Sequence, residues 1–289
     1  MNPPILVTGA SGTLGRAVLR HLQAAGYTTR GATRNPDRGG LGAEAVRFDW
    51  GSPLTFRPAV EGIKQVFLTL RPLDIAAAIV VPDMLEDCRL MGVEHVVFVS
   101  ALGADEQPTG PLGLAESVLR SSGLEWTILR PNFLMENFSH GWLRPEIQAA
   151  GRIELPAGRG RTSFVSVEDV AAVAVTIFGK ADLRGRAHDL TGDDPMSHTA
   201  VAAALTRASG RPVNYEAITE AEMRERGRRA GLPAGRLEYL LALYALVREG
   251  EVSRVSRSVA EILGRKPRRF DDFAVANADR WRVSVAAGS

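Results

Sequence analysis

From Ile5 to Arg130 the chain repeats one pattern, and that pattern restricts the fold more than anything else in it. A short β-branched run is followed by a longer run whose apolar residues recur at helical spacing. The strand-like runs are "ILVT" (5–8), "TTRGAT" (28–33), "EAVRF" (44–48), "QVFLTL" (65–70), "HVVFVS" (95–100) and "EWTILR" (125–130). Helical runs begin at Thr13 and cover 74–91 and 112–122. Several strands are apolar throughout rather than alternating, which suits a sheet covered on both faces. Strands joined by crossover helices must be parallel, so the pattern predicts a doubly wound α/β sheet of the Rossmann kind.

Beyond Pro131 the alternation loosens. "FLMENFSHGWLRPEIQAAG" reads as a loop and helix, "SVEDVAAVAVTIF" (166–178) as a helix with a capping signal at its start, and "AHDLTG" (187–192) as a last strand. From there the spacing is mostly helical: 198–209, 219–230, 233–249, 258–264 and 270–279. The expected organisation is a Rossmann domain over 1–192, to which 132–150 adds pocket residues, and a smaller, mostly helical lobe over 193–289.

The glycines Gly9, Gly12 and Gly15 follow the first strand and open the first helix. That context is what a phosphate-holding turn requires. Gly9 permits the tight turn, Gly12 lets the backbone approach a pyrophosphate, and Gly15 lets helix and strand pack closely. The free N–H groups at the helix start then face the phosphates. A chain that prefers the cofactor without the 2′-phosphate carries an acid after the second strand; this one reads "GATRNPDR", with Arg34 at that place and Arg30 and Arg38 nearby. A guanidinium offers a planar fork of donors to a 2′-phosphate. NADP is therefore the expected cofactor, with NAD the alternative.

"TGASGTLG", "TRNP", "FVSALGA", "SGLEWTILRPNFLMENF" and "FVSVEDVAAVA" together resemble the NmrA-like, atypical short-chain dehydrogenases. "FDWGSPLTF" (48–56) and the tail "LEYLLALYALVREGE…RKPRRFDDFAVANADRW" look most like the ergot-alkaloid reductases of the festuclavine and agroclavine dehydrogenase type. The quinone oxidoreductases of the group are also similar. The resemblance implies a pyrophosphate loop of Gly9, Ser11, Gly12, Thr13, Leu14 and Gly15, and a 2′-phosphate contact at Arg34. It implies an adenine-side turn at Asp49 and Trp50, and ribose and pyrophosphate contacts at Leu70 and Arg71. Ser100 and Ala101 would lie by the nicotinamide ribose, and the backbone of Pro131, Asn132 and Phe133 would hold the carboxamide.

Many short-chain dehydrogenases use Tyr-x-x-x-Lys, in which the lysine lowers the tyrosine pKa for proton donation. Here the residues four after Tyr27, Tyr215, Tyr239 and Tyr244 are Gly31, Thr219, Leu243 and Arg248. Leu112 stands where many relatives place the lysine. The expected acceptor therefore needs little acid help: a quinone or an iminium, a small aromatic or cyclic molecule. Phe133, Met135, Phe138 and Trp142, with Tyr239, Leu243 and Tyr244, are the expected walls of its pocket, and Ser100, Asn137, His140 and Tyr239 the candidate proton partners. Two other readings stay open: an NAD(P) sensor that regulates a partner, and a tailoring enzyme whose reduced product reacts with oxygen, a net hydroxylation.

Composition narrows the classes. A net charge of +2 gives no nucleic-acid footprint, and the arginine-rich "MRERGRRAG" (223–231) reads as a solvated helix face. The single cysteine, Cys88, precludes an internal disulfide and reads as a half-buried, inert thiol. The five histidines show no metal-ligand spacing, and no Gly-x-Ser-x-Gly elbow is present. No apolar run is long enough for a membrane span, and the start of the chain lacks a signal-peptide pattern. These features lead to the expectation of a cytoplasmic monomer or homodimer.

Overall fold

A computed structural model describes residues 4–71 and 76–282. The six expected strands are β1 (Ile5–Val7), β2 (Thr29–Thr33), β3 (Glu44–Arg47), β4 (Gln65–Thr69), β5 (His95–Val99) and β6 (Glu125–Pro131). They join β9 (Ala187–Leu190) in one seven-stranded sheet of order β3-β2-β1-β4-β5-β6-β9. Every pairing in it is parallel. Six crossover and covering helices belong to the same unit: α1 (Thr13–Ala24), α2 (Phe56–Val60), α3 (Ala77–Leu90), α4 (Pro111–Ser121), α6 (Val167–Gly179) and α10 (Ser258–Leu263). The start of the helix expected over 74–91, residues 74 and 75, lies outside the described residues.

The apolar strands are apolar because both faces are covered. Leu6, Leu68, Phe98 and Ile128 pack on Met84, Leu85, Cys88 and Leu119 of α3 and α4. On the other face α1 and α6 pack together, joined by Arg20 and His21 of α1 to Glu168 at 2.7 and 2.9 Å. Cys88 is more deeply placed than expected, and burial, with the neighbouring Asp87 charge, pushes its thiol up to about 12.

A second compact unit holds Asn132–Ser166, Thr191–Arg257 and the described residues from Lys266 on, whereas the first takes Val167–Leu190 and Ser258–Arg265 besides the described residues up to Pro131. This replaces the expected division at residue 192. Helix α6 and strand β9 complete the sheet's covering, and α10 returns late to lie against α6. There Arg265 reaches the buried Asp169 at 2.8 Å.

The second unit contains α5 (Arg144–Ala150), α7 (His198–Ser209), α8 (Glu220–Arg229), α9 (Ala234–Glu249) and α11 (Phe270–Ala276). The sequence reading missed its short strands: β7 (Arg152–Leu155) pairs parallel with β11 (Asn214–Ala217), and β8 (Arg161–Thr162) antiparallel with β10 (Met196–Ser197). Helix starts follow local chemistry. Ser197 Oγ accepts the Ala200 N–H before α7, and Thr219 with Glu222 forms a capping box before α8. The arginines of α8 pair with carboxylates of this unit, as a solvated face would: Arg224 with Glu238, Arg226 with Glu154, and Arg229 with Glu225.

Candidate active site

In a parallel sheet all carboxyl ends lie on one edge, and a ligand crevice forms where the strand order reverses. Here the reversal lies between β1 and β4. In chain order, Gly9–Gly15 follow β1, Arg34 follows β2, Asp49 follows β3, Leu70 and Arg71 follow β4, Ser100 and Ala101 follow β5, and Pro131 ends β6. The expected cofactor residues of the first unit are thus all at this edge.

The glycine turn is held from below by Thr8. Its Oγ1 donates toward the carbonyls of Phe67 and Thr69 at 3.2 and 3.1 Å, and accepts the Thr69 N–H at 2.8 Å. This clamp was not among the expected site residues, because a threonine at a strand end carries no distinctive spacing. Gly9 then turns with φ +61°, a conformation that favours glycine. A Cβ at Gly15 would sit 2.2 Å from the Gly9 carbonyl oxygen, so only glycine allows the helix to start so close to the turn. Ser11, Gly12 and Thr13 are exposed, and Gly12 caps α1 without a side-chain bond. The first N–H groups of a helix have no acceptor within it. An open turn of glycines ending in such donors fits a pyrophosphate.

At the end of β2, Arg34 and Arg38 are exposed and have no ion-pair partner among the described residues. Arg30 is different, and its expected place near the phosphate is corrected. It sits at the other end of β2, bonded to the carbonyls of Ala59 and Glu61 and paired with Glu44 at 3.0 Å. Trp50 lies in the turn after β3 with its side chain turned inward. Its indole lies in the core at 5.0 Å from Phe48 and 5.6 Å from Phe56, which anchors the turn and leaves only its backbone for a ligand. Asp49 shapes that turn by accepting the Gly51 N–H at 3.0 Å.

Behind Ser100 lies a buried ion pair that the sequence reading did not single out. Arg130 Nε and Nη2 donate to the two oxygens of Glu116 at 3.0 and 2.7 Å, a bidentate fork. Arg130 also reaches Asp105 at 2.7 Å, and Arg120 adds a bond to Glu116 at 2.9 Å. Burial raises the Glu116 carboxyl, but Arg130, Ser100 and Arg120 together outweigh it and hold it below the ordinary carboxylate range. The Ser100 hydroxyl is buried without a well-aligned hydrogen-bond partner among the described residues. Leu112, at the place of the lysine in relatives, packs against the apolar core.

In the second unit Asn132 is spent on the fold. Its Nδ2 donates to Ser163 Oγ at 2.8 Å and to the Val252 carbonyl at 2.8 Å, while its Oδ1 accepts the Phe133 N–H at 2.9 Å. Only the backbone of this turn is left for a ligand. Phe133 packs at 5.9 Å from Tyr244. Met135 and Phe138 are fully enclosed, Phe138 against Phe164 and Phe270, which corrects them from pocket wall to packing. Trp281 fixes Phe138 from the far end of the described chain, its indole N–H donating to the Phe138 carbonyl at 2.7 Å. Trp142 is 48% exposed, Tyr239 and Leu243 are half-buried, and Tyr244 is almost wholly buried on α9.

Of the proton candidates in this unit, Asn137 is half-buried and His140 is exposed. His140 Nδ1 lies 2.7 Å from Ser139 Oγ, and burial with Arg280 and Arg144 pulls its pKa down. His198, not singled out from sequence, lies at the centre of the aromatic group, 5.4 Å from Tyr215 and 5.7 Å from Phe164. Its Nδ1 has no hydrogen-bond partner among the described residues, and burial holds it at about 4. Among the described residues no group of three His, Cys, Asp or Glu is placed to hold a metal, and no helix is long and apolar enough to cross a membrane.

A doubly wound sheet with a glycine turn at its switch point and open donors above it defines a dinucleotide-binding protein. Comparison with known proteins gives the family. The model described as NAD(P)H-binding matches residues 9–181, and the chain belongs to that family. It is 33% identical over 282 residues to the uncharacterized oxidoreductase YesF of Bacillus subtilis, covering 96% of each chain. It is 32% identical to the NAD(P)H azoreductase of Xenophilus azovorans, over 95% of this chain and 98% of that one. The structure of the quinone oxidoreductase QOR2 of Escherichia coli complexed with NADPH superimposes with a TM-score of 0.81 at 24% identity, over 94% of this chain and 99% of that one. The protein is an NAD(P)H-dependent oxidoreductase of that NAD(P)H-binding family.

Proposed function

We propose that the protein reduces a small aromatic or cyclic acceptor that stabilises the incoming electron pair itself, a quinone first and a cyclic iminium second, with NADPH as the preferred donor. The observation that carries this reading is the Glu116–Arg130 pair behind Ser100. Its carboxyl is ionised and doubly neutralised by arginine, so it has no proton to give. With no Tyr-x-x-x-Lys in the sequence, an acceptor whose product is a stabilised phenolate, or one already cationic, suits the site. The relatives named azoreductase and quinone oxidoreductase support an acceptor of conjugated type.

The cofactor supplies the hydride. The glycine turn and the α1 N–H groups would hold its pyrophosphate, Arg34 would favour a 2′-phosphate, and the backbone at Pro131–Phe133 would be left for the nicotinamide end. Phe133, Tyr239 and Leu243 of the second unit would offer apolar surface to a flat acceptor.

Stopped-flow NADPH oxidation with a panel of quinones and cyclic iminium compounds tests the reading. Acceleration by at least one panel member is the expected result. Tight cofactor binding with no acceleration by any of them overturns it in favour of a sensor.

A further inference from the structure

Arg16 follows Gly15 on the first turn of α1 and is directed at no carboxylate. Its Nε donates to the Ser11 carbonyl at 3.0 Å and its Nη1 to the Gly40 carbonyl at 3.4 Å. One guanidinium therefore joins the glycine turn to the far part of the segment "RNPDRGGLG" (34–42). The near part is joined to the same turn through Thr33, whose Oγ1 lies 3.5 Å from Ser11 Oγ. Farther along α1, Gln23 Nε2 donates to the Gly42 carbonyl at 2.8 Å and to Thr29 Oγ1 at 3.2 Å.

The segment needs such ties. Gly39, Gly40 and Gly42 all have positive φ, so side-chain sterics do little to restrict the backbone there. The charge is also uncompensated. Among the described residues Arg16, Arg34 and Arg38 have no carboxylate partner, and Asp37, the one acid within 34–42, pairs with none of them. Guanidiniums gathered around one short loop repel each other until an anion joins them, and a phosphate dianion accepts their forks best.

We propose that Arg16 is a second determinant of cofactor choice: it ties the loop carrying Arg34 and Arg38 to the glycine turn and adds its own charge to a site for the 2′-phosphate. The inference rests on the reading of Arg34 given above. It differs from it in placing part of the selectivity on α1, outside the loop after β2.

The test uses the full chain with Arg16→Leu and Arg16→Lys. Calorimetry measures 2′,5′-ADP against 5′-ADP, and nicotinamide fluorescence measures NADPH against NADH. Amide hydrogen exchange follows residues 39–42. Arg16→Leu is expected to weaken 2′,5′-ADP and NADPH by about tenfold or more, the loss of one charge-assisted bond. Binding of 5′-ADP and NADH stays within about twofold, and exchange over 39–42 quickens. Arg16→Lys keeps the charge without the fork, so it shows a smaller loss in the same direction. It also serves as the second variant should the leucine form fold poorly. Equal losses for phosphorylated and unphosphorylated ligands, or no loss for either, overturn the proposal. If the unaltered protein binds NADPH and NADH equally, the Arg34 reading falls with it. If its preference stands and Arg16→Leu leaves that preference intact, only the role of Arg16 falls.

Discussion

A methyl group at Gly15 has nowhere to go, because the Gly9 carbonyl oxygen would be 2.2 Å away and the Ala10 Cα 3.0 Å. Both atoms are backbone, so relief means moving the turn. Gly15→Ala is expected to destabilise the protein by about 1–3 kcal/mol, as overpacking does, and to weaken NADPH binding by more than about tenfold. Chemical denaturation and cofactor fluorescence check the two effects separately. Arg34 is exposed, so its replacement acts on binding and leaves the fold alone. Arg34→Asp reverses a charge at the expected 2′-phosphate contact. It should weaken NADPH by about a hundredfold while changing NADH far less, given charge-assisted bonds of about 1.5–3 kcal/mol. Equal losses for the two cofactors would remove Arg34 from the site.

At the scale of elements, the Glu116–Arg130 fork joins α4 to the end of β6, and Asp105 joins the turn after β5 to the same arginine. Removing one partner strands the other in the interior. Glu116→Ala is therefore expected to cost about 3–5 kcal/mol in urea denaturation, whereas Glu116→Leu with Arg130→Met costs much less. Equal costs for the single and double changes would show that the pair is not the source.

The sheet strands were legible in the sequence because they alternate with long helical runs, and the five late helices because their periodicity extends over many residues. The strands β7, β8, β10 and β11 are as short as β1 and β3 but lie beyond Pro131, where no regular strand–helix alternation marks them. Motif residues fixed by backbone geometry, such as Gly9 and Gly15, could be read from spacing. The position of a long side chain could not. Arg30 and Arg34 look alike in "TRGATRNP", yet one is spent on Ala59 and Glu61 carbonyls and the other is exposed. The aromatic residues after Pro131 were read as a pocket wall because composition cannot separate a ring facing a ligand from Phe138, whose neighbours are other rings.

Across the whole molecule, two buried histidines make stability depend on pH. Burial, with the Arg184 charge, holds His95 at about 4, and burial alone holds His198 there. A histidine whose folded pKa lies below its unfolded value of about 6.5 contributes its full stability above that value. The contribution is lost as pH falls from about 6.5 through 4, by roughly 3 kcal/mol per histidine once both states are protonated. Glu168 is held at about 2 by His21 and Arg20, so its contribution is complete above the ordinary glutamate range and fades as pH drops toward 2. Thermal melts from pH 8 to 4 should show a falling Tm below about pH 6.5, and His198→Phe should flatten part of that fall. An unchanged pH profile in His198→Phe would mean that the ring is not protonated on unfolding.

The path of the chain between its two units has an evolutionary consequence. It passes from one to the other after Pro131, Ser166, Leu190, Arg257 and Arg265. No single splice point exchanges the second unit for another, and a crossover at residue 192 would part Asp169 from Arg265. Exchange of the second unit by recombination would take several simultaneous crossovers in place of one.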